Sequence, residues 1–159
     1  MTTTTTKATE PRLSPPVLVG GAFALTTLLS IAIHVGEILF TDHDPNAPDG
    51  AIESIQSTAV VGGIGLLLTL AIAIPLSRDP QRAKVGAFVL GVLAVLTLPF
   101  FWSGAPASLG AGAAWLGGLA RGSHPQTGAA RGFGVVGIVI VVLSIVATIF
   151  GGAAGQLLG

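Results

Sequence analysis

His34 and Glu37 stand three residues apart near the end of a long apolar run, and Asp42, His43 and Asp44 follow at once. On a helix, that spacing puts the first pair on one face. Imidazole and carboxylate are ligand types that suit zinc or manganese, although the spacing matches no specific metal motif. The same pair could instead relay protons or sense pH. The simplest arrangement needs no ligand at all. Glu37 then snorkels to water or stays neutral, His34 hydrogen-bonds to a facing helix, and residues 42–49 turn the chain. Asp44-Pro-Asn and Pro48-Asp-Gly are strong turn signals, and Asp49 and Glu53 suit the positive N-terminal end of a following helix. The turn is preferred. No cofactor is expected beyond a divalent cation at these side chains.

Composition dictates the elements that position these groups. The 159 residues are 51% hydrophobic with a mean hydropathy of +0.84. Only 9% are charged, against about 25% in an ordinary soluble domain. The apolar runs are too long for core helices and too continuous for strands. The expected fold class is therefore an all-α integral membrane protein. Net charge is zero and no basic patch is concentrated enough to make nucleic acid a partner. The chain has no cysteine, which removes disulfides, thiolate metal sites, iron–sulfur clusters and c-type haem attachment. With one Met and no Tyr, interfacial anchoring falls to Trp102, Trp115 and the phenylalanines.

Residues 1–15 form a polar, low-complexity tail that is expected to be disordered. Residues 16–159 are expected to form a bundle of five transmembrane helices, at about 16–41, 55–77, 85–102, 105–120 and 132–150. Pro15 and Pro16 suit the first turn of the first span. That span is expected to be retained, because it ends in Glu37-Ile-Leu-Phe and not in a small-residue cleavage site. Pro75 falls in the last turn of the second span, and a basic loop, 78–84, leads to the third. There Pro99 is expected to kink the helix, which neighbouring helices tolerate in a membrane.

The stretch 105–120 is short for a crossing. Its sixteen residues make about 24 Å of helix against a hydrocarbon core of about 30 Å. A fourth span here must be short, tilted or partly re-entrant. Counting it as a crossing puts Lys7, Arg12, Arg78, Arg82, Lys84, Arg121 and Arg131 on one side, which the positive-inside rule makes cytoplasmic. The N-terminus is then cytoplasmic and the C-terminus outside. Gly110, Ala114, Gly118 and Gly122 recur every four residues along this segment, with Ala113 and Gly117 beside them. Such a ridge lets backbones approach closely, either inside the bundle or at a subunit interface.

In this threading His34 lies roughly 10 Å, and Glu37 roughly 6 Å, inside the outer boundary. The outer side carries five carboxylates, at Glu37, Asp42, Asp44, Asp49 and Glu53, and no Lys or Arg. His34 is the one histidine within a span and His124 falls in an inner loop, so bis-His haem ligation within one chain is disfavoured. Hydroxyls at Thr26, Thr27, Ser30, Thr58, Thr69, Thr97, Ser144 and Thr148 are expected to bond back to carbonyls of their own helices. Ser30 and His34, four apart, share a face and would line an outer vestibule.

No glycine-rich phosphate loop, nucleophile elbow or paired intramembrane carboxylate is present, so no catalytic residue is assigned. The expected protein is a non-enzymatic, multipass component of the plasma membrane. It would act as an accessory or structural subunit, in contact with lipid and with other membrane subunits or a second copy. The alternative is a small transporter or channel for protons, cations or a small solute, with His34 and Glu37 at its outer mouth. Five spans show no inverted repeat, which counts against that alternative. The threading predicts that a periplasmically active reporter works when fused after Gly159 and is silent when placed at Ser123. Activity at Ser123 would refute it.

Overall fold

Long runs of Leu, Val, Ile and Ala without a breaker give three helices long and apolar enough to cross a membrane, Pro15–Gly36, Ile52–Leu76 and Ala129–Gly151. They are the apolar parts of α1 (Pro15–Phe40), α2 (Ala47–Leu76) and α5 (Ala129–Leu158) in a computed structural model that describes residues 13–40 and 47–158. Between α2 and α5 lie α3 (Pro80–Leu96), a 3-10 turn (Leu98–Ser103), α4 (Ala105–Ala114) and a π-helical turn (Trp115–Leu119). Polarity is inverted relative to a soluble protein. Leu28, Leu39, Leu67 and Phe150 are more than three-fifths exposed, whereas Thr26, Thr58, Thr69 and Ser144 are fully buried. Such an exterior suits hydrocarbon.

The first expected span agrees with α1 to within a residue at each end. The second starts earlier than expected. Pro48-Asp49-Gly50 lies in the first turn of α2 and makes no separate turn. Proline and an acidic residue both fit the opening of a helix, where N–H groups lack partners. The basic loop 78–84 also shrinks. Asp79 caps α3, its carboxylate accepting from the N–H groups of Gln81 at 2.8 Å and Arg82 at 3.0 Å, with Pro80 as the first helical residue. Those two bonds hold the Asp79 carboxyl below the usual carboxylate range. Helix thus begins inside the polar segment.

The third expected span does not kink at Pro99; its α-helix stops at Leu96. Proline lacks the N–H that a continuing helix would donate. The Thr97 hydroxyl caps the end on the Leu93 carbonyl at 2.8 Å. Phe100 then leaves helical geometry, with φ −101° and ψ 34°.

The fourth segment departs most from expectation. α4 is α-helical for 10 residues, and every one of them is buried. It packs against α1, α2, α3 and α5. A segment enclosed by protein need not match the bilayer thickness, which resolves its shortness. The small-residue ridge follows α4 only through Gly110 and Ala114. Gly118 at φ 82° and Gly122 at φ 76° lie past the α-helix, in backbone conformations that L side chains rarely adopt. The close approach is to α5 within the same chain. A Cβ on Gly110 would come 2.5 Å from the Gly137 carbonyl oxygen, and one on Gly117 would come 2.7 Å from the Gly134 Cα.

Two long-range hydrogen bonds close one end. The Arg121 N–H donates to the Leu13 carbonyl at 2.8 Å, and Gln126 Nε2 donates to the Pro80 carbonyl at 3.1 Å. They gather the start of α1, the α2–α3 turn and the connection from α4 to α5. Arg78, Arg82, Lys84, Arg121 and Arg131 belong to these segments.

A Cβ at Gly137 would collide with the backbone of Gly110. Gly137→Val is therefore expected to lower stability by about 1–3 kcal/mol, the usual cost of overpacking, or to prevent folding. Gly63 has open space around it, and Gly63→Ala should leave stability unchanged or raise it by up to about 1 kcal/mol. Unfolding in detergent, followed by circular dichroism, measures both.

Candidate functional site

A cavity of about 460 Å³ lies where α1 ends and α2 begins. α1 contributes Ser30, Ile33 and His34, and α2 contributes Ser54 and Ser57. Thr148 and Gly151 of α5 close the opposite wall, and Phe101 and Trp102 come from the 3-10 turn. That turn exists because Pro99 ends α3 early, and it gathers three rings. Phe101 meets Trp102 edge-on with centroids 5.5 Å apart, and Phe100 meets Trp102 at 5.7 Å. The expected vestibule of Ser30 and His34 is therefore a real pairing in one cavity.

Among the described residues, the His34 side chain bonds to its own helix and not to a facing one. Its Nδ1 lies 2.8 Å from the Ser30 carbonyl, four residues back on its own helix. A carbonyl only accepts, so Nδ1 carries the proton, and in the neutral ring Nε2 keeps its lone pair. Nε2 sits on the far edge of the ring from α1's backbone. That bond fixes the neutral imidazole in the tautomer protonated at Nδ1.

The buried hydroxyls divide into two groups. Thr26, Thr69, Thr97 and Thr148 bond back to the carbonyls of Ala22, Gly65, Leu93 and Ser144, as expected. Thr27, Ser30, Thr58 and Ser144 have no partner for their side-chain oxygens among the described residues. Leaving such a group unsatisfied costs about 1–3 kcal/mol. Of the four, only Ser30 borders the cavity.

Ser30–His34 and Ser144–Thr148 share a construction. The side chain at the second position takes the carbonyl of the first, while the serine's own hydroxyl is left unpartnered. The four-residue spacing was visible in the sequence. Thr148 was legible as a span hydroxyl and Trp102 as an anchor, while Ser54, Ser57 and Phe101 carried no signal marking them as cavity residues.

No family model matches the chain, and no curated protein or solved structure matches it either. The site rests on its own geometry. Among the described residues, no three His, Asp or Glu side chains come together as a metal site would require. Asp42, His43 and Asp44 lie outside the described residues, as does the Glu37 side chain. Of the five candidate ligands, only His34 is placed.

A second cavity, about 160 Å³, lies at the opposite end of α4, bordered by Pro15, Ser77, Trp115, Leu116 and His124. His124 is thus an end-loop residue, as expected. The two cavities share no lining residue.

The tautomer of His34 is directly measurable. Nitrogen-15 NMR of histidine-labelled protein above neutral pH should show Nδ1 in the protonated range and Nε2 in the unprotonated range. The reverse assignment would mean that the bond to Ser30 is not formed.

Proposed function

We propose that this chain is a non-enzymatic, multipass protein of the plasma membrane that serves as an accessory or structural subunit. In this reading it crosses five times, with the N-terminus in the cytoplasm and the C-terminus outside. Its partners are lipid and other membrane subunits or a second copy of itself. One observation carries the proposal: α4 is buried at all ten positions among α1, α2, α3 and α5. A wall of Ala and Gly backbone there favours a solid scaffold over a conduit. Gathering Arg78, Arg82, Lys84, Arg121 and Arg131 at one end supports the cytoplasmic assignment of that end.

The second reading is a small transporter or channel with His34 and Glu37 at its outer mouth. It is favoured by the cavity at Ser30 and His34. One preparation separates the two. Purified in mild detergent from its native membrane, the protein should travel in a defined assembly larger than the monomer. Reconstituted alone into liposomes, it should pass neither protons nor monovalent cations above the lipid background. A monomer that conducts, and whose flux falls in Glu37→Gln, would overturn the structural reading and establish the second.

A further inference from the structure

The end of the molecule opposite the larger cavity, where α1, α3 and α5 begin, is one-sidedly charged. Arg78, Arg82, Lys84, Arg121 and Arg131 are all exposed there, and Asp79 is the one acidic residue in the whole stretch 77–131. Residues 1–12, which lead into α1, add Lys7, Arg12 and one acid, Glu10. The other acids, Glu37, Asp42, Asp44, Asp49 and Glu53, fall between the last turn of α1 and the first two turns of α2, at the far end. The positive excess therefore stands whatever Glu10 and Asp79 bind. Depth sets this patch apart from a cap in water. Lys84 and Arg131 lie in the first two turns of α3 and α5, and the residues four further along each face, Phe88 and Val135, are apolar and half exposed. On a membrane protein such faces meet hydrocarbon, so both cations stand at the border between headgroups and acyl chains. α3 and α5 also start side by side. Phe88 and Phe133 meet edge-on with ring centroids 4.8 Å apart, and the bare backbone of Gly91 admits the Phe133 ring. Lys84, Phe88 and Gly91 follow the spacing of one helical face, so Lys84 stands one turn above the ring pair on the side of α3 that meets α5.

From these features we infer that the groove between α3 and α5 at the basic end binds an anionic phospholipid of the leaflet it faces. The Lys84 ammonium donates to the phosphate, and one acyl chain runs down over Phe88 and Phe133. The other basic side chains at this end raise the local positive potential, the way basic residues beside a span attract anionic lipid. A lipid brings negative charge and hydrocarbon together, at the depth where this groove offers positive charge and aromatic carbon. A soluble acidic protein would match the charge alone and leave the rings uncovered. The inference goes beyond the structural-subunit reading and rests only on the chain's spanning a membrane, since a scaffold and a transporter could both carry such a groove.

The test uses the full chain in phosphatidylcholine vesicles. The chain has no cysteine, so Val85→Cys or Leu96→Cys takes a fluorescent label at a single place. Val85 is the neighbour of Lys84, Leu96 ends the same helix at the other side of the membrane, and both face outward. Phosphatidylglycerol carrying a spin label high on one chain should quench the label at residue 85 with at least about threefold preference over phosphatidylcholine labelled in the same way, the scale of one cation beside anionic lipid. At residue 96 the two lipids should quench alike. Lys84→Gln should remove most of the preference at residue 85, Lys84→Arg should keep it, and inorganic phosphate should leave it in place. Equal quenching by the two lipids at residue 85, the same preference at residue 96, or a preference untouched by Lys84→Gln would each overturn the inference. Loss of the preference to inorganic phosphate would make the ligand a free anion, and equal quenching together with binding of soluble polyglutamate would give the face to an acidic protein; either result overturns it as well. Should the labelled chains fail to fold, native mass spectrometry of the unsubstituted chain, released from an equal mixture of the two lipids with identical acyl chains, decides the matter. Phosphatidylglycerol adducts should predominate by at least about threefold, and equal numbers would overturn the inference.

Discussion

Lipid is as apolar as leucine, so helices in a membrane gain nothing by hiding leucine from it, and association depends on how closely their backbones can meet. In this protein the decisive approach is α4 on α5, where Gly110 faces Gly137 and Gly117 faces Gly134. Only glycine leaves room for it. The burial of α4 follows from that contact and from small residues on the surrounding helices. Gly65 of α2 lies against Ala105, and Gly112 of α4 against Thr69 and Leu90. Leu90, Leu109 and Leu116 fill the larger gaps on the α3 side. The large apolar side chains of α1, α2 and α5 are left facing outward.

Enclosing α4 also shapes both ends of the molecule. The 3-10 turn that delivers the chain to α4 raises Phe101 and Trp102 into the wall of the larger cavity, and Gly104, at φ 76°, makes the corner. At the other end, the π-helical turn and Gly118 reverse the chain toward α5. The cavity is therefore a by-product of ending α3 early. Its polar lining comes from Ser30, His34, Ser54, Ser57 and Thr148, on three different helices.

Much of this was legible in the sequence, for identifiable reasons. Uninterrupted apolar runs placed α1, α2 and α5, since nothing in them competes with helix. Ser30 and His34 were paired by a spacing that a helix turns directly into proximity. The errors arose where local chemistry outweighed hydropathy: Asp79 and Pro80 start a helix in polar sequence, and Pro99 ends one in apolar sequence. Of the four-residue ridge, Gly110 and Ala114 lie on α4, whereas Gly118 and Gly122 fall past its end. A periodic pattern cannot announce where the backbone leaves the helix. The aromatic wall and the α5 side of the cavity depend on long-range packing, to which a single sequence gives no direct access.

The enclosure of α4 also bears on how such a chain is made. A ten-residue helix whose neighbours include the last helix of the chain has no completed environment until that helix has been synthesised. During biogenesis the segment after α3 must wait, sheltered by the insertion machinery or by the helices already present, until α5 arrives with Gly134 and Gly137. Insertion and tertiary folding then cease to be separate stages for this segment. A ribosome that stalls before residue 134 leaves a nascent chain with four of its five helices made and the central one still without its seat.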